Sequence, residues 1–157
     1  MDIQSIIIAF LFFGACLHAC SSGEPQEGDQ KEFGQTVLQS NPALQYFVNN
    51  HPDFSVIKYA TADLNNDGRN EVVVIYRLNK NKNMMSIIQD FETGYTETNA
   101  VPAPVSDQMI QFRNIDDKPP LEFILQGRKG AKIGYAIFRI ENGRLVDLFG
   151  EGMQDCC

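Results

Sequence analysis

The chain has 157 residues, a net charge of −7, four cysteines, two histidines and no tryptophan. That length suits one domain. The acidic balance, with no long basic run, argues against nucleic acid as a partner and against electrostatic attachment to an anionic membrane.

In chain order, the first feature is the apolar run Ile6 to Leu17. It has the length of a signal-peptide core and is too short to span a bilayer. It runs into Leu17-His18-Ala19-Cys20, followed by Ser21-Ser22-Gly23, which resembles a bacterial lipobox. Phe13-Gly14-Ala15-Cys16 is the poorer competitor, and Asp2 stands where a basic residue is expected. The resemblance implies a lipoprotein signal peptide over 1–19 and lipidation of Cys20. The chain would then sit in the cell envelope, anchored to a membrane through lipid and facing away from the cytoplasm, on the periplasmic or outer face. The competing reading is a buried apolar helix. Residues 20–31 are polar and glycine-rich and read as a disordered tether. A single domain is expected over 32–151, with a helical cap at 32–50, and a tail at 152–157.

An early helical turn is expected to carry Phe33, Val37 and Leu38. Asn41 then caps a helix with Pro42 in its first turn. Leu44, Phe47 and Val48 recur on one face of that helix. Beyond it the sequence repeats. Asp63-Leu64-Asn65-Asn66-Asp67-Gly68-Arg69-Asn70-Glu71 precedes an apolar run, and so does Asn114-Ile115-Asp116-Asp117-Lys118-Pro119-Pro120-Leu121-Glu122, each position offset by 51. Downstream, Gly94 and Gly143 are offset by 49, as if two residues were lost. Strands are expected near Phe54–Thr61, Glu71–Leu78, Met84–Phe91 and Tyr95–Thr98. The second set is Gln108–Arg113, Leu121–Gln126, Ile133–Ile140 and Arg144–Phe149. Asn142-Gly143 signals a two-residue hairpin turn. The fold class is therefore mainly β, at the margin of α+β: two tandem antiparallel β-repeat units, over 54–100 and 105–150, behind an N-terminal helical segment. Alternation is not clean in the longer strands, which suits a sheet covered on both faces by its twin and by the helix.

The first loop offers oxygen ligands from Asp63, Asn65, Asp67, the Arg69 carbonyl and Glu71, with Gly68 at the sharp turn. Alternating oxygen donors of this kind can wrap calcium. Val74 stands where an EF-hand needs a bidentate Glu, so the loop is of another kind. It resembles the aspartate-rich loops of FG-GAP and VCBS repeats, which lead straight into a strand. The resemblance implies blade-like units and a calcium-stabilised module that binds a protein or glycan. The alternative for these residues is a self-bonding Asx turn. The second loop is expected to be metal-free, with Lys118 neutralising Asp116 and Glu122.

Only His51 remains after the signal region, and it reads as a helix-exit residue. A Ser-His-Asp set or a multi-histidine zinc centre is not expected. Gly127 to Lys132 reads as a basic hairpin tip. The remaining chemistry lies in Cys156 and Cys157. Neighbouring Cα atoms are about 3.8 Å apart, whereas disulfides favour about 5.5–6 Å. A bond between them would be strained, so both sulfurs are expected to stay available on a free tail. They suit a thiophilic metal or metalloid, with Met153 adding a thioether. Asp155 and the terminal carboxylate are expected to hinder ionisation of the thiols, favouring capture over fast catalysis. If the pair is redox-active, Cys157 is the attacker and Cys156 the resolver.

A small exported chain ending Gly-Met-Gln-Asp-Cys-Cys resembles the Cys-Cys-COOH (seleno)protein family, in which selenocysteine can replace one of the terminal pair. The resemblance implies a redox or thiophile-handling accessory working beside a transporter or thiol-redox partner.

Overall fold

The computed structural model describes residues 40–157. The signal segment, Cys20, the tether and the turn carrying Phe33, Val37 and Leu38 lie outside the described residues. Helix α1 spans Pro42–Asn50. The Asn41 side-chain oxygen accepts from Leu44 N at 2.9 Å, satisfying one of the amides that a helix start leaves unpaired. The helix buries Ala43, Leu44 and Phe47.

The rest is antiparallel sheet. Strands β1 (Ser55–Ala62), β2 (Glu71–Asn79), β3 (Lys82–Phe91) and β4 (Gly94–Glu97) form the first sheet in sequence order, and β5 (Val101–Ala103) adds to β3 beyond β4. Strands β6 (Ser106–Arg113), β7 (Glu122–Lys129), β8 (Lys132–Glu141) and β9 (Arg144–Glu151) form the second. Helix α2, Met153–Cys156, closes the chain. The strands expected from sequence are all present. Strand β5 was not expected: Pro102 sits in it opposite Met84, and proline signals a break. It is tolerated because this short strand lies at a sheet edge.

The two sheets are copies, and the ladders give their alignment. Val72 pairs with Ile88, and Phe123 pairs with Phe138. The β2 copy is thus shifted by 51 and the β3 copy by 50. One residue is lost between them, not the two inferred from the glycines. It is the β-bulge at Leu78, between Arg77 and Asn79, which β7 lacks. The bulge in β1 between Val56 and Lys58 does recur in β6, between Ser106 and Met109. At the β8–β9 turn Asn142 and Gly143 have φ of 52° and 74°, the left-handed pair that a type I′ hairpin needs.

Each sheet has a front and a back. The front of the first, with Val72, Val74, Tyr76 and Ile88, lies under Leu44 and Phe47 of α1. Its back, with Val73, Ile75, Met85 and Ile87, lies on Phe123, Leu125, Ala136 and Phe138. By the ladder alignment these last four are the front of the second sheet. The sheets therefore stack in the same sense, back on front. Covering on both faces explains why Glu71 to Tyr76 is buried without a break. Each such aliphatic or aromatic side chain contributes roughly 1.5–3 kcal/mol by leaving water.

Candidate functional site: a C-terminal sulfur cluster and an acidic loop

The tail is not free. Gly152 takes a left-handed φ of 68° after β9, and Met153–Cys156 folds back as one helical turn. Val105 N donates to the Cys156 carbonyl at 3.1 Å, and Lys132 pairs with Asp155 at 3.1 Å. Gly134 makes the room for the tail, and Gly127 makes room for Pro104, next to the Val105 that holds it. A Cβ on Gly134 would lie 2.8 Å from Cys156 Sγ, and one on Gly127 would lie 2.3 Å from Pro104 Cβ. In the first repeat the ladder-equivalent positions are Met84 and Tyr76, which lie against α1 instead. These glycines are the sequence signal for a docked tail; the sequence places Gly127 in a hairpin tip and Gly134 in a strand, and neither reading carries that signal by itself.

Docking gathers three sulfurs. Cys156 is fully buried and Cys157 is half-buried, and both are free thiols. Cys156 Sγ lies 3.5 Å from Cys157 Sγ and 3.7 Å from Met153 Sδ. Beside them is a cavity of about 480 Å³, lined by Met153, Cys157, Phe138, Val101, Pro102 and Lys82 among others. Burial, together with the hydrogen bond and charge of Cys156, pushes the Cys157 thiol up to about 12, with Lys129 opposing weakly. The upward direction matches the sequence expectation, but burial and Cys156 supply it. The Asp155 carboxylate is engaged with Lys132.

The acidic loop between β1 and β2 is held by its own side chains. Asp63 accepts from Asp67 N at 3.1 Å and from Gly68 N at 2.9 Å. Asn65 Oδ1 accepts from Asp67 N at 2.9 Å, and Asp67 Oδ1 accepts from Arg69 N at 2.9 Å. The Asn65 amide donates to Glu71 Oε1 at 3.0 Å and to Asp67 Oδ2 at 3.1 Å. Leu64 N donates to Glu71 Oε2 at 2.7 Å. The Asn65–Asp67 N and Asp67–Arg69 N bonds are Asx-turn contacts. Among the described residues no three acid, histidine or cysteine side chains converge on one point. A cation here would rely on amide and backbone oxygens as well as carboxylates, which is the donor set calcium takes.

The second repeat supplies a comparison within the molecule. Ile115 N donates to Glu122 Oε2 at 2.9 Å, repeating the Leu64–Glu71 bond. Here a cation is built in. Arg139 Nη1 reaches Glu122 Oε1 at 3.1 Å and Asp116 Oδ2 at 3.2 Å. The expectation gave this role to Lys118, but only the backbone N–H of Lys118 meets Asp116. Arg139 went unnoticed because it lies on another strand, two elements away. At the ladder position of Arg139 the first repeat has uncharged Gln89, which donates to Gly143 O. Among the described residues no Lys or Arg pairs with Asp63, Asp67 or Glu71; the Arg69 guanidinium turns to Glu92 at 3.0 Å. Glu71 is fully buried, and desolvation with the Asp67 and Asp63 charges raises its carboxyl to about 6 against backbone hydrogen bonds that lower it. The residues therefore fit a cation.

His51 caps the end of α1, its N–H bonded to Phe47 O at 3.0 Å. Its Nε2 meets Glu97 Oε2 at 2.7 Å, and Ser86 Oγ donates to Glu97 Oε1 at 2.7 Å. A serine, a carboxylate and a histidine are thus linked, but the carboxylate stands in the middle and the imidazole does not reach the hydroxyl. The imidazole stacks on Phe54 and Tyr76. The arrangement ties the helix end to β4.

Among the described residues, no helix is long and apolar enough to cross a membrane. No known family, no curated protein and no solved structure matches this chain.

Proposed function

We propose that the chain is a lipid-anchored, extracytoplasmic accessory protein whose C-terminal dithiol captures a thiophilic metal or metalloid. Cys20 carries the anchor, and a transporter or thiol-redox protein is the partner that delivers or receives the cargo. The observation that carries this reading is the convergence of Cys156, Cys157 and Met153 sulfurs within 3.5–3.7 Å beside a cavity. Soft sulfur ligands select soft ions over calcium or magnesium. The raised Cys157 thiol favours capture over rapid disulfide exchange, which needs a thiolate attacker. Trivalent arsenic illustrates why a protonated thiol suffices. Each S–H gives its proton to an arsenic-bound hydroxide, an As–S bond replaces As–O, and one water leaves per thiol.

The test is one equivalent of arsenite or Hg²⁺ added to the reduced protein, read by thiol titration and intact mass. Stoichiometric uptake that is lost in Cys156→Ser, Cys157→Ser supports the proposal. Failure to bind with both thiols reduced rejects it.

A second reading rests on a separate observation: among the described residues no Lys or Arg pairs with Asp63, Asp67 or Glu71, as Arg139 does with Asp116 and Glu122 in the second repeat. Asp63, Asn65, Asp67, the Arg69 carbonyl and Glu71 would hold calcium, which would rigidify the end of a protein- or glycan-binding module. Calcium would then supply the positive charge that Arg139 provides to the second repeat.

A further inference from the structure

A cleft of about 510 Å³ lies at the end of the stacked sheets where the two loops meet. That volume falls in the roughly 300–1,000 Å³ range of small-molecule sites. Gln89 and Phe91 enter it from the back of the first sheet, continuing the alternation of Met85 and Ile87. Ile140 enters from the front of the second sheet, and Asn66, Pro119 and Asn142 stand on the loops around it. The ladder equivalents of Gln89 and Phe91 in the second repeat are Arg139 and Glu141, which pair with each other at 2.6 Å. In the first repeat the same two positions are an amide and a ring. Gln89 is 3% exposed, and its Nε2 donates to Gly143 O at 3.3 Å. Among the described residues its Oε1 has no donor. No fully enclosed side-chain oxygen or nitrogen among those residues lacks a partner, so this oxygen opens to solvent, and the cleft is the opening that Gln89 lines.

We propose that this cleft binds a neutral saccharide, an inference that rests on the binding-module reading and gives it a ligand and a place. Among the described residues, none that lines the cleft is charged. Asp63 and Lys118 line a neighbouring hollow beyond Asn66 and Pro119. Glu92, next to Phe91, is held by Arg69. Arg139, Glu141 and Arg144 lie on the opposite face of their sheet, alternating with buried Ile140 and Leu145. A phosphate or carboxylate ligand would require a cation here. The polar groups are amides instead. Asn66 and Asn142 are exposed and, among the described residues, their side chains have no hydrogen-bond partner. An amide offers both donors and an acceptor, which matches hydroxyls that give and accept at once. A sugar hydroxyl donating to Gln89 Oε1 satisfies an acceptor that is nearly buried and otherwise unpaired. Phe91, 38% exposed, and Pro119 supply the apolar surface against which the C–H face of a sugar ring packs.

Saturation-transfer NMR of the full chain with glucose, galactose, mannose, N-acetylglucosamine and their disaccharides tests the site. A single hexose is expected to bind on the order of millimolar, and a disaccharide more tightly. Phe91→Ala should weaken binding about tenfold, whereas Phe91→Tyr, which keeps the ring, should retain it. Gln89→Leu, which keeps the volume and removes the carbonyl, should weaken it as well; exposed Phe91 keeps the test open if Gln89→Leu misfolds. Phe149→Ala, a ring on the far face of the second sheet, should leave binding unchanged. No signal from any of these sugars at about 20 mM, well above the expected dissociation constant, overturns the proposal. So does a signal indifferent to Phe91→Ala, or a tetra-alanine peptide that displaces the sugar at lower concentration. Calcium is titrated in parallel by thermal unfolding. A Tm that rises with calcium while no sugar binds overturns the saccharide alone, and a chain that responds to neither removes the binding-module reading with it.

Discussion

Arg139 Nη1 reaches Glu122 across the β7–β8 ladder at 3.1 Å, and its Nη2 and Nε hold Glu141 at 2.6 and 3.1 Å. The Glu122 carboxylate is 1% exposed, so this contact sets whether a buried charge has a partner. Leaving a buried charge unpaired costs far more than losing a surface pair. Arg139→Gln should therefore lower the urea midpoint clearly with an unchanged slope. Arg69→Gln, which removes only an exposed pair with Glu92, should barely move it. Equal midpoints for the two variants would contradict the assignment.

Among the described residues Glu71 has no such cationic partner, and this predicts a pH dependence. Its folded carboxyl titrates near 6, above the ordinary 4.5, so the folded state holds the proton more tightly than the unfolded chain. The resulting stabilisation is complete below about pH 4.5 and is lost as pH rises through about 6. A gap of about 1.5 units corresponds to about 2 kcal/mol. Thermal unfolding in chelator should show wild type losing stability relative to Glu71→Gln between about pH 4 and pH 7. Calcium at pH 7 should raise the wild-type Tm and leave Glu71→Gln unmoved.

Cys157 should be a slow nucleophile. With its thiol near 12, labelling by iodoacetamide at pH 8 should run on the order of a hundred- to a thousandfold below that of an unperturbed cysteine. Cys156, fully buried, should label only on opening of the tail. Denaturant should restore ordinary rates to both. Rapid labelling of native protein at neutral pH would show that the tail is not docked.

Gly134 is the hinge of that docking. The Cβ of Gly134→Ala would fall 2.6 Å from the Gly152 carbonyl and 2.8 Å from Cys156 Sγ. Backbone cannot yield as a flexible side chain does, so the turn must lift. The expected loss is roughly 1–3 kcal/mol, typical of overpacking, with faster labelling of Cys156. Gly150→Ala is the control: its Cβ would meet nothing closer than 3.4 Å.

The elements were legible because their causes are local. Asn41 and Pro42 mark a helix start by their own chemistry, and Asn142-Gly143 marks a hairpin by its backbone preference. The 51-residue repeat is visible because Glu71 and Glu122 each close their own loop onto the next residue after an acid or amide, at Leu64 and Ile115. The bulge at Leu78 was not legible, since an unpaired residue looks like any other until its partner strand is known. Strand β5 was hidden by Pro102, whose effect depends on lying at an edge.

For the candidate site the division is similar. The sequence by itself determined which side chains can offer ligand atoms: the acids and amide of one loop, and two adjacent thiols with a thioether three residues before them. Tertiary structure decided their circumstances. It buried Cys156 in the space left by Gly134, gave the second loop its cation from a distant strand, and left uncharged Gln89 at the equivalent position of the first repeat. Ligand type is a property of a residue, whereas burial and charge pairing are properties of whatever the fold brings beside it.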